Sequence, residues 1–374
     1  MFIGIPKENK SLETRVAATP DSVKKMCDRG FDVIIEKSAG LESHFTDDAY
    51  KTAGADIVDK SDALSADVVC KVHKPETEEI NNMKKGSVLL SFLDVCHDDG
   101  TFNRLADAGV NALALEMIPR ISRAQGMDAL SSQANIAGYR ATLEAANLYG
   151  RFLPMMMTSA GSAKPAKVIV LGAGVAGLQA VATSKRLGSR VFAYDVRPEV
   201  KEQIESLGAK FVELKMPTDG SGEGGYAKKL DISDQQLQQE LLAQELKTFD
   251  IIISTAMIPC MPAPTLITED AVKGMKQGSV IIDMAAGSGG NCPLTIADET
   301  IVRHGVTICG TTNFPALMPS DASNFYSRNL MNLLFLMLHE KEGKPEFRDY
   351  SQDEIMQMSM VTCEGNVCYE RRIN

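Results

Sequence analysis

The sequence predicts an α/β protein of two domains, each built around a parallel sheet and linked by a long helix. Three observations carry this. The chain has 374 residues, more than one compact core accommodates, so two domains are expected. Two separate series of short β-rich runs alternate with helical patterns, the rhythm of parallel sheets covered by helices on both faces. Between the series lies "MDALSSQANIAGYRATLEAANLYGRF" (127–152), rich in Ala and Leu and free of proline, long enough to bridge two domains.

Taken in order, "MFIGIP" (1–6) is a strand, and "TPDSVKKMCDRG" (19–30) is a helix with Thr19 or Asp21 near its cap and Gly30 at its end. "FDVIIE", "ADVVCKV" (66–72), "GSVLLSFL" (86–93) and "VNALALEM" (110–117) are further strands. The long helix follows, then "MMMTSAGSAKPA" as a linker-like loop. The second series comprises "AKVIVLGAG", "RVFAYDV", "AKFVEL", "FDIIIST", "GSVIIDMA" and "VTICGTT". Six strands are the number of a complete Rossmann sheet. Within it, "KMPTDGSGEGGYAKKLDISDQQLQQE" (215–240) is a Gly-rich loop leading into a helix, and connections of that length are often functional. The chain is then helical around 322–340 and ends in a β-hairpin. The first Rossmann-like domain is expected to be discontinuous, 1–135 plus 310–374, with the second at 136–309.

Composition narrows the function classes. The net charge of −10 argues against nucleic acid or an anionic membrane surface as main partner. The most apolar run, "NLMNLLFLMLHE" (329–340), falls short of the ~20 residues a membrane span needs. The opening residues show no signal-peptide layout. Eight cysteines are scattered with no CxxC pair, as in a reducing, cytoplasmic-type compartment. Cys363 and Cys368 flank "EGNV" in the final hairpin, where a cross-strand bridge has little to favour it. The five histidines are isolated at 44, 73, 97, 304 and 339, and no spacing suits a metal.

The strongest motif is "KVIVLGAGVAGLQAVATSKRLGSRVFAYDVR" (167–197). Gly172, Gly174 and Gly177 stand in GxGxxG spacing, after a buried strand and at the start of a helix. The next strand ends in Asp195 at the expected ~20-residue separation. Gly172 permits the tight turn, Gly174 lets a pyrophosphate approach the backbone, and Gly177 lets helix and strand pack closely. Val175 stands near the helix start, whose N–H groups and dipole meet the phosphates. Asp195 can accept hydrogen bonds from ribose hydroxyls and repel a 2′-phosphate, which favours NAD(H) over NADP(H). Arg197 nearby works the other way, since an arginine tolerates that phosphate.

"PRISRAQGMDALSSQ" (119–133) is polar but holds no His, Cys or Lys. From the residues alone, helix capping is the favoured reading of Asp128, Ser131 and Ser132. Gln125, Asp128 and Ser131 follow at intervals of three, which can place them on one face of a helix start. Nothing in the residues themselves chooses between Arg120 and Arg123 as the functional arginine.

"GIPKE…ETRVAATP" (4–20), "RISRAQGMDALSSQANIAGYRA" (120–141), "VIVLGAGVAGLQA" (168–180), "DVRPEVKEQIESLGAKF" (195–211), "GGYAK" (224–228) and "STAMIPCMPAPTLIT" (254–268) together resemble a known family. It is the soluble NAD(H)-binding component of proton-translocating nicotinamide nucleotide transhydrogenases, and the similarity runs from residue 1 to about 340. Alanine dehydrogenase is the sibling family and the alternative reading. Oxidising an amino acid needs a proton acceptor beside the reacting carbon. Alanine dehydrogenases carry a Lys before a proline and a His after the following strand. In ungapped register those positions here are His73 and Asp94, with Lys74 and His97 nearby. Arg15, which meets the substrate carboxylate in those dehydrogenases, is kept and does not discriminate.

The resemblance implies direct hydride transfer from NADH to NADP⁺ held on a partner NADP(H)-binding domain. Neither ring exchanges a proton in that step, so alignment at roughly 3–3.5 Å is the requirement. It assigns Arg120, Gln125, Asp128 and Ser131 to the nicotinamide site. It places nucleotide contacts at Ile121, Ser122, Val175, Asp195, Val196, Arg197, Gly225 and Met257, and more loosely at Gln238. Tyr226 matches the tip of a loop that closes over the nucleotide. It further implies a homodimer, and a membrane-spanning component that couples transfer to proton movement. The chain is then peripheral at the cytoplasmic or matrix-equivalent face of an energy-transducing membrane, and no metal is expected.

Overall fold

The computed structural model describes residues 1–214, 231–341 and 344–369, with backbone alone for 340, 341, 344 and 345. The chain divides into two compact units, Met1–Gln133 with Pro315–Asn374, and Ala134–Phe314.

The first unit opens with β1 (Phe2–Ile5), α1 (Pro20–Cys27), β2 (Asp32–Glu36), α2 (Asp47–Ala53), β3 (Asp56–Val58), α3 (Lys60–Leu64), β4 (Val68–Cys70), α4 (Thr77–Asn81), β5 (Val88–Ser91), α5 (Thr101–Asp107) and β6 (Asn111–Ala114). Helix α6 (Ala129–Leu148) carries the boundary between the units. The second unit holds β7 (Met156–Thr158), β8 (Gly161–Ala163), β9 (Lys167–Leu171), α7 (Val175–Arg186), β10 (Arg190–Tyr194), α8 (Lys201–Ser206), β11 (Lys210–Phe211), α9 (Ile232–Leu246), β12 (Ile251–Ser254), α10 (Glu269–Lys273), β13 (Val280–Asp283), β14 (Thr300–Arg303) and β15 (Val306–Cys309). The chain returns to the first unit with α11 (Pro319–Met337), β16 (Leu338–Lys341), β17 (Lys344–Phe347), α12 (Glu354–Ser359), β18 (Met360–Cys363) and β19 (Asn366–Val367).

Both main sheets follow one plan. In the first unit the order is β3-β2-β1-β4-β5-β6, all parallel, extended by the antiparallel pair β18-β19. In the second it is β11-β10-β9-β12-β13-β15, all parallel, with β14 antiparallel at the edge. Each is the doubly wound Rossmann order, with its topological switch point between β1 and β4, or between β9 and β12.

Period-2 alternation explains why the central strands are apolar throughout. Val168 and Val170 of β9, with Ile251 and Ile253 of β12, face Ala141, Ala145 and Ala180 of the helices. Ile169, Leu171 and Ile252 face Leu242 and Leu246 on the other side. In the first unit, Ile3, Ile5 and Leu90 pack with Leu330 and Leu334 of α11, while Val69 and Leu89 pack with Phe102 and Leu105 of α5. Gly4 lets α3 lie against β1, because a Cβ there would stand 1.8 Å from the Ala63 carbonyl oxygen.

Four details differ from the sequence reading. The long helix begins after a 3₁₀ segment at Ser122–Met127, because the Asp128 side chain caps Ala129–Leu148 from outside. "MMMTSAGSAKPA" contains the β7-β8 hairpin rather than a bare loop. The short β3 and the edge strand β14 were not expected, since three- and four-residue strands leave too short an alternation to read. Helix α11 ends at Met337, where β16 begins.

Candidate functional site

The dinucleotide motif lies at the switch point of the second unit. The chain leaves β9 through Gly172 at φ +93°, and a Cβ there would stand 2.8 Å from Thr255 Oγ1. The Thr255 amide donates to the Leu171 carbonyl at 2.8 Å and its hydroxyl donates to the Gly172 carbonyl at 2.9 Å. Gly177, in the first turn of α7, comes so near that a Cβ would be 1.9 Å from the Gly172 oxygen. Gly138 of α6 plays the same part on the other side, where a Cβ would meet the Ala176 carbonyl oxygen at 2.1 Å. Gly174 is different: a Cβ there would meet no heavy atom within 4 Å. It is the N-cap of α7, and no side chain caps that helix end. Packed glycines below, open space above and uncapped amides at a helix start form a cradle that fits a pyrophosphate. Val175, exposed, stands at its lip.

Asp195 follows β10 and is nearly buried. Its Oδ2 accepts from the Ala173 amide at 2.7 Å and from Arg197 Nη2 at 2.7 Å. Its Oδ1 accepts from the Arg197 amide at 2.9 Å and from Arg197 Nε at 2.8 Å. Hydrogen bonding to Asp195 holds the Arg197 guanidinium above its ordinary pKa, against a smaller opposing effect of burial. Val196 packs against the core beneath. Gln238 of α9 is buried and donates to the Tyr194 hydroxyl at 2.9 Å, so its amide supports the end of β10. Met257 is exposed on the loop after β12. That loop is tied down by buried Asn291, which accepts from Ser254 Oγ at 2.6 Å and donates to the Ala256 and Pro264 carbonyls at 2.8 Å each. Gly225 and Tyr226 lie outside the described residues.

The polar segment 119–133 belongs to the first unit. Arg120, Ser122 and Gln125 are exposed, and Ile121 packs partly against the core. Asp128 accepts from the Ser131 amide at 2.8 Å and the Ser131 hydroxyl at 2.6 Å. Ser132 donates to Asn329 Oδ1 at 2.7 Å, and Asn329 and Asn332 both donate to the Gly126 carbonyl, at 2.9 and 2.8 Å. The segment is therefore pinned from α11 as well as by its own cap. Its second arginine is committed to a distant carboxylate: Arg123 forms a two-pronged ion pair with Asp353, at 2.8 and 3.0 Å.

The positions where dehydrogenases hold their acid–base and carboxylate-binding groups are engaged within the first unit. Arg15, buried, donates from Nε and Nη2 to Glu13 at 2.8 and 2.7 Å and from Nη1 to Gln133 at 2.8 Å. His73 Nε2 lies 2.6 Å from the same Glu13 carboxylate. Burial raises the Glu13 pKa, but hydrogen bonds from Arg15 and His73 outweigh it and hold the carboxyl well below the usual carboxylate range. Lys74 pairs with Asp99 at 3.0 Å, and Asp94 contacts His97 at 3.0 Å. His73, Lys74 and Asp94 line a cavity of about 420 Å³ at the unit's own switch point, floored by the ion pairs of Lys71 with Glu8 and Glu79.

Among the described residues, no group of three or more His, Cys, Asp or Glu side chains could hold a metal ion. No described helix is long and apolar enough to cross a membrane. Cys363 and Cys368 are both free thiols. Sequence reasoning passed over Gly138, Thr255 and Asn291, which shape the cradle from outside the motif. A glycine inside an Ala-rich helix was the one available signal, since such a residue often has a packing reason.

Two family patterns match the chain: "Alanine dehydrogenase/PNT, N-terminal domain" over residues 4–137 and "Alanine dehydrogenase/PNT, C-terminal domain" over 141–370. An NAD(P) transhydrogenase subunit alpha chain of Rhodospirillum rubrum is 46% identical over 378 residues, covering 99% of this chain and 98% of that one. The crystal structure of a transhydrogenase from Sinorhizobium meliloti superposes with a TM-score of 0.85 at 40% identity, covering 98% of each chain. An L-alanine dehydrogenase structure superposes with a TM-score of 0.81 at 24% identity, covering 98% of this chain and 96% of that one, which is a likeness of fold.

Proposed function

This chain belongs to the alanine dehydrogenase/PNT family and stands with its NAD(P) transhydrogenase α subunits, and we propose that it is the NAD(H)-binding catalytic component of a proton-translocating, Re/Si-specific transhydrogenase. One contrast carries the reading. The second unit builds a complete dinucleotide cradle, while Arg15, the group that would take an amino-acid carboxylate, is locked onto Glu13 and Gln133. A dinucleotide cradle together with an Arg15 engaged by its own Glu13, and with His73 and Asp94 standing where alanine dehydrogenases carry Lys and His, supports transfer between two nucleotides over oxidation of an amino acid.

In this reading NADH is a substrate, and hydride leaves it directly for NADP⁺ on the partner domain. The chain's work is alignment. The amides at the start of α7 take the pyrophosphate, and Asp195 takes the adenosine ribose. Val175, Val196, Arg197 and Met257 line the nucleotide, and the family resemblance adds Gly225 and Tyr226 as nucleotide contacts. Gln238 acts through Tyr194. Arg120, Gln125, Asp128 and Ser131, with Ile121 and Ser122, hold the nicotinamide end. The Asp128–Ser131 cap supplies rigidity there, and the absence of His, Cys and Lys is expected because no proton moves in the step. The family resemblance selects Arg120 as the functional arginine, and Arg123 is engaged with Asp353. The proposed partners are a second copy of this chain, an NADP(H)-binding domain, and a membrane-spanning component that couples transfer to proton movement. The chain would sit peripherally at the cytoplasmic or matrix-equivalent face of that membrane.

The test is a mixing assay. The purified chain, NADH and a purified NADP(H)-binding transhydrogenase domain should show rapid hydride transfer, while alanine with NAD⁺, or pyruvate with ammonium and NADH, should show none. Robust alanine turnover would overturn the reading in favour of the dehydrogenase.

A further inference from the structure

The acceptor positions of Asp195 point to a role for Arg197 beyond lining the nucleotide. A carboxylate offers about four lone-pair positions. Four N–H groups fill them here: two from the main chain, at Ala173 and Arg197, and two from the Arg197 guanidinium. The ion pair is well shielded, with side-chain exposures of 12% for Arg197 and 4% for Asp195. A ribose diol that donates both hydroxyls to this carboxylate needs two positions. The main-chain donors are fixed by the motif's own turn, so the guanidinium is the group that must yield.

We infer that Arg197 is a placeholder for the adenosine ribose: its guanidinium holds the two Asp195 positions that ribose hydroxyls require and sets how tightly and how selectively the chain binds that ribose. The inference rests on the proposed nucleotide-binding reading. It has two opposite consequences. Toward an unphosphorylated ribose the guanidinium is a competitor, because a bidentate, charge-assisted pair must open first. Toward a 2′-phosphorylated ribose the released guanidinium is a ligand, because it starts two residues from Asp195 and carries the matching charge. The same residue therefore weakens ADP-ribose-type ligands and softens the rejection of their 2′-phosphates. It also keeps Asp195 neutralised, avoiding a buried unpaired carboxylate.

The test is isothermal titration of the full chain with ADP, 2′-deoxyADP and 2′-phospho-ADP, for wild type, Arg197→Ala and Arg197→Lys, with NADH titrated alongside by fluorescence. Arg197→Ala should bind ADP roughly three- to tenfold more tightly, the scale of one net hydrogen bond. The gain should be smaller for 2′-deoxyADP, which lacks one hydroxyl, and 2′-phospho-ADP should lose affinity. Arg197→Lys keeps the charge without the planar fork, so it should gain part of the ADP affinity and retain more 2′-phospho-ADP binding than Ala. It decides the matter if Arg197→Ala does not fold. Unchanged or weaker ADP binding in the folded variants, with NADH bound normally by wild type, overturns the placeholder alone. Failure of wild type to bind either NADH or ADP overturns the nucleotide reading and the placeholder together.

Discussion

Two glycines three residues apart separate packing from ligand approach. At Gly177 a Cβ would be 1.9 Å from the Gly172 carbonyl oxygen, whereas real Cβ atoms essentially never come within 3.0 Å. Gly177→Ala must then open at least 1.1 Å between α7 and the loop, the difference of those two distances. The obstacle is backbone, held in turn by the 2.9 Å bond from Thr255, and it cannot swing aside. Overpacking of this kind costs about 1–3 kcal/mol. Each kcal/mol lowers the melting temperature by roughly 2–4 °C in a domain of this size. At Gly174 the φ of −73° suits any residue and a Cβ meets nothing within 4 Å. Gly174→Ala should cost no more than about 1 kcal/mol, from the N-cap preference for Gly over Ala. Its methyl, however, occupies the path of the pyrophosphate, and NADH affinity should fall at least about tenfold, or 1.4 kcal/mol. Thermal unfolding and NADH fluorescence titration read the two quantities. Wild-type NADH affinity in Gly174→Ala would show that the phosphates do not cross the cradle. A Gly177→Ala protein no less stable than Gly174→Ala would refute the packing argument.

Gln125→Asn should slow the transfer step in rapid mixing with the NADP(H)-binding domain while weakening NADH only modestly; an unchanged transfer rate removes Gln125 from the chemistry. Asp128→Ala deletes the cap on α6 and should cost about 1 kcal/mol in urea unfolding, together with slower transfer, whereas Ser131→Ala leaves the main-chain half of the cap and should cost less; equal losses would deny the cap its role. Glu13→Gln leaves buried Arg15 without its carboxylate and should destabilise by about 3–5 kcal/mol at neutral pH. Because the folded Glu13 pKa lies below its unfolded value of about 4.3, that stabilisation is full above this pH and declines as the pH falls through it. The gap between variant and wild type should therefore narrow in acid, and a gap that stays constant from pH 7 to about pH 3 would exclude the ion pair as its source.

Much of the architecture was legible because it is written in local periodicity. The alternating runs of β9, β10, β12 and β13 and the Ala-rich face of α6 each announce their element within a few residues. The glycine spacing at 172, 174 and 177 specifies its turn through backbone sterics alone. Short strands such as β3 and β14 escaped because they exist only through their neighbours' hydrogen bonds. The polar segment was half legible: Asp128 and Ser131 read as a cap, and a cap they form, but the same three-residue spacing serves a functional face equally well.

By itself the sequence determined the fold class, the dinucleotide motif and the family, since all three rest on short-range pattern. The tertiary structure decided which polar groups are already engaged. Arg123 is tied to Asp353 and Arg15 to Gln133, partners far away in the chain, and Gly138 is required only because Ala176 packs against it. Even Asp195 and Arg197, two residues apart, close into a fork only because the β10 end and the Ala173 amide orient the carboxylate. A residue's type fixes which hydrogen bonds it can make, and only the folded neighbours settle which of them remain for a ligand.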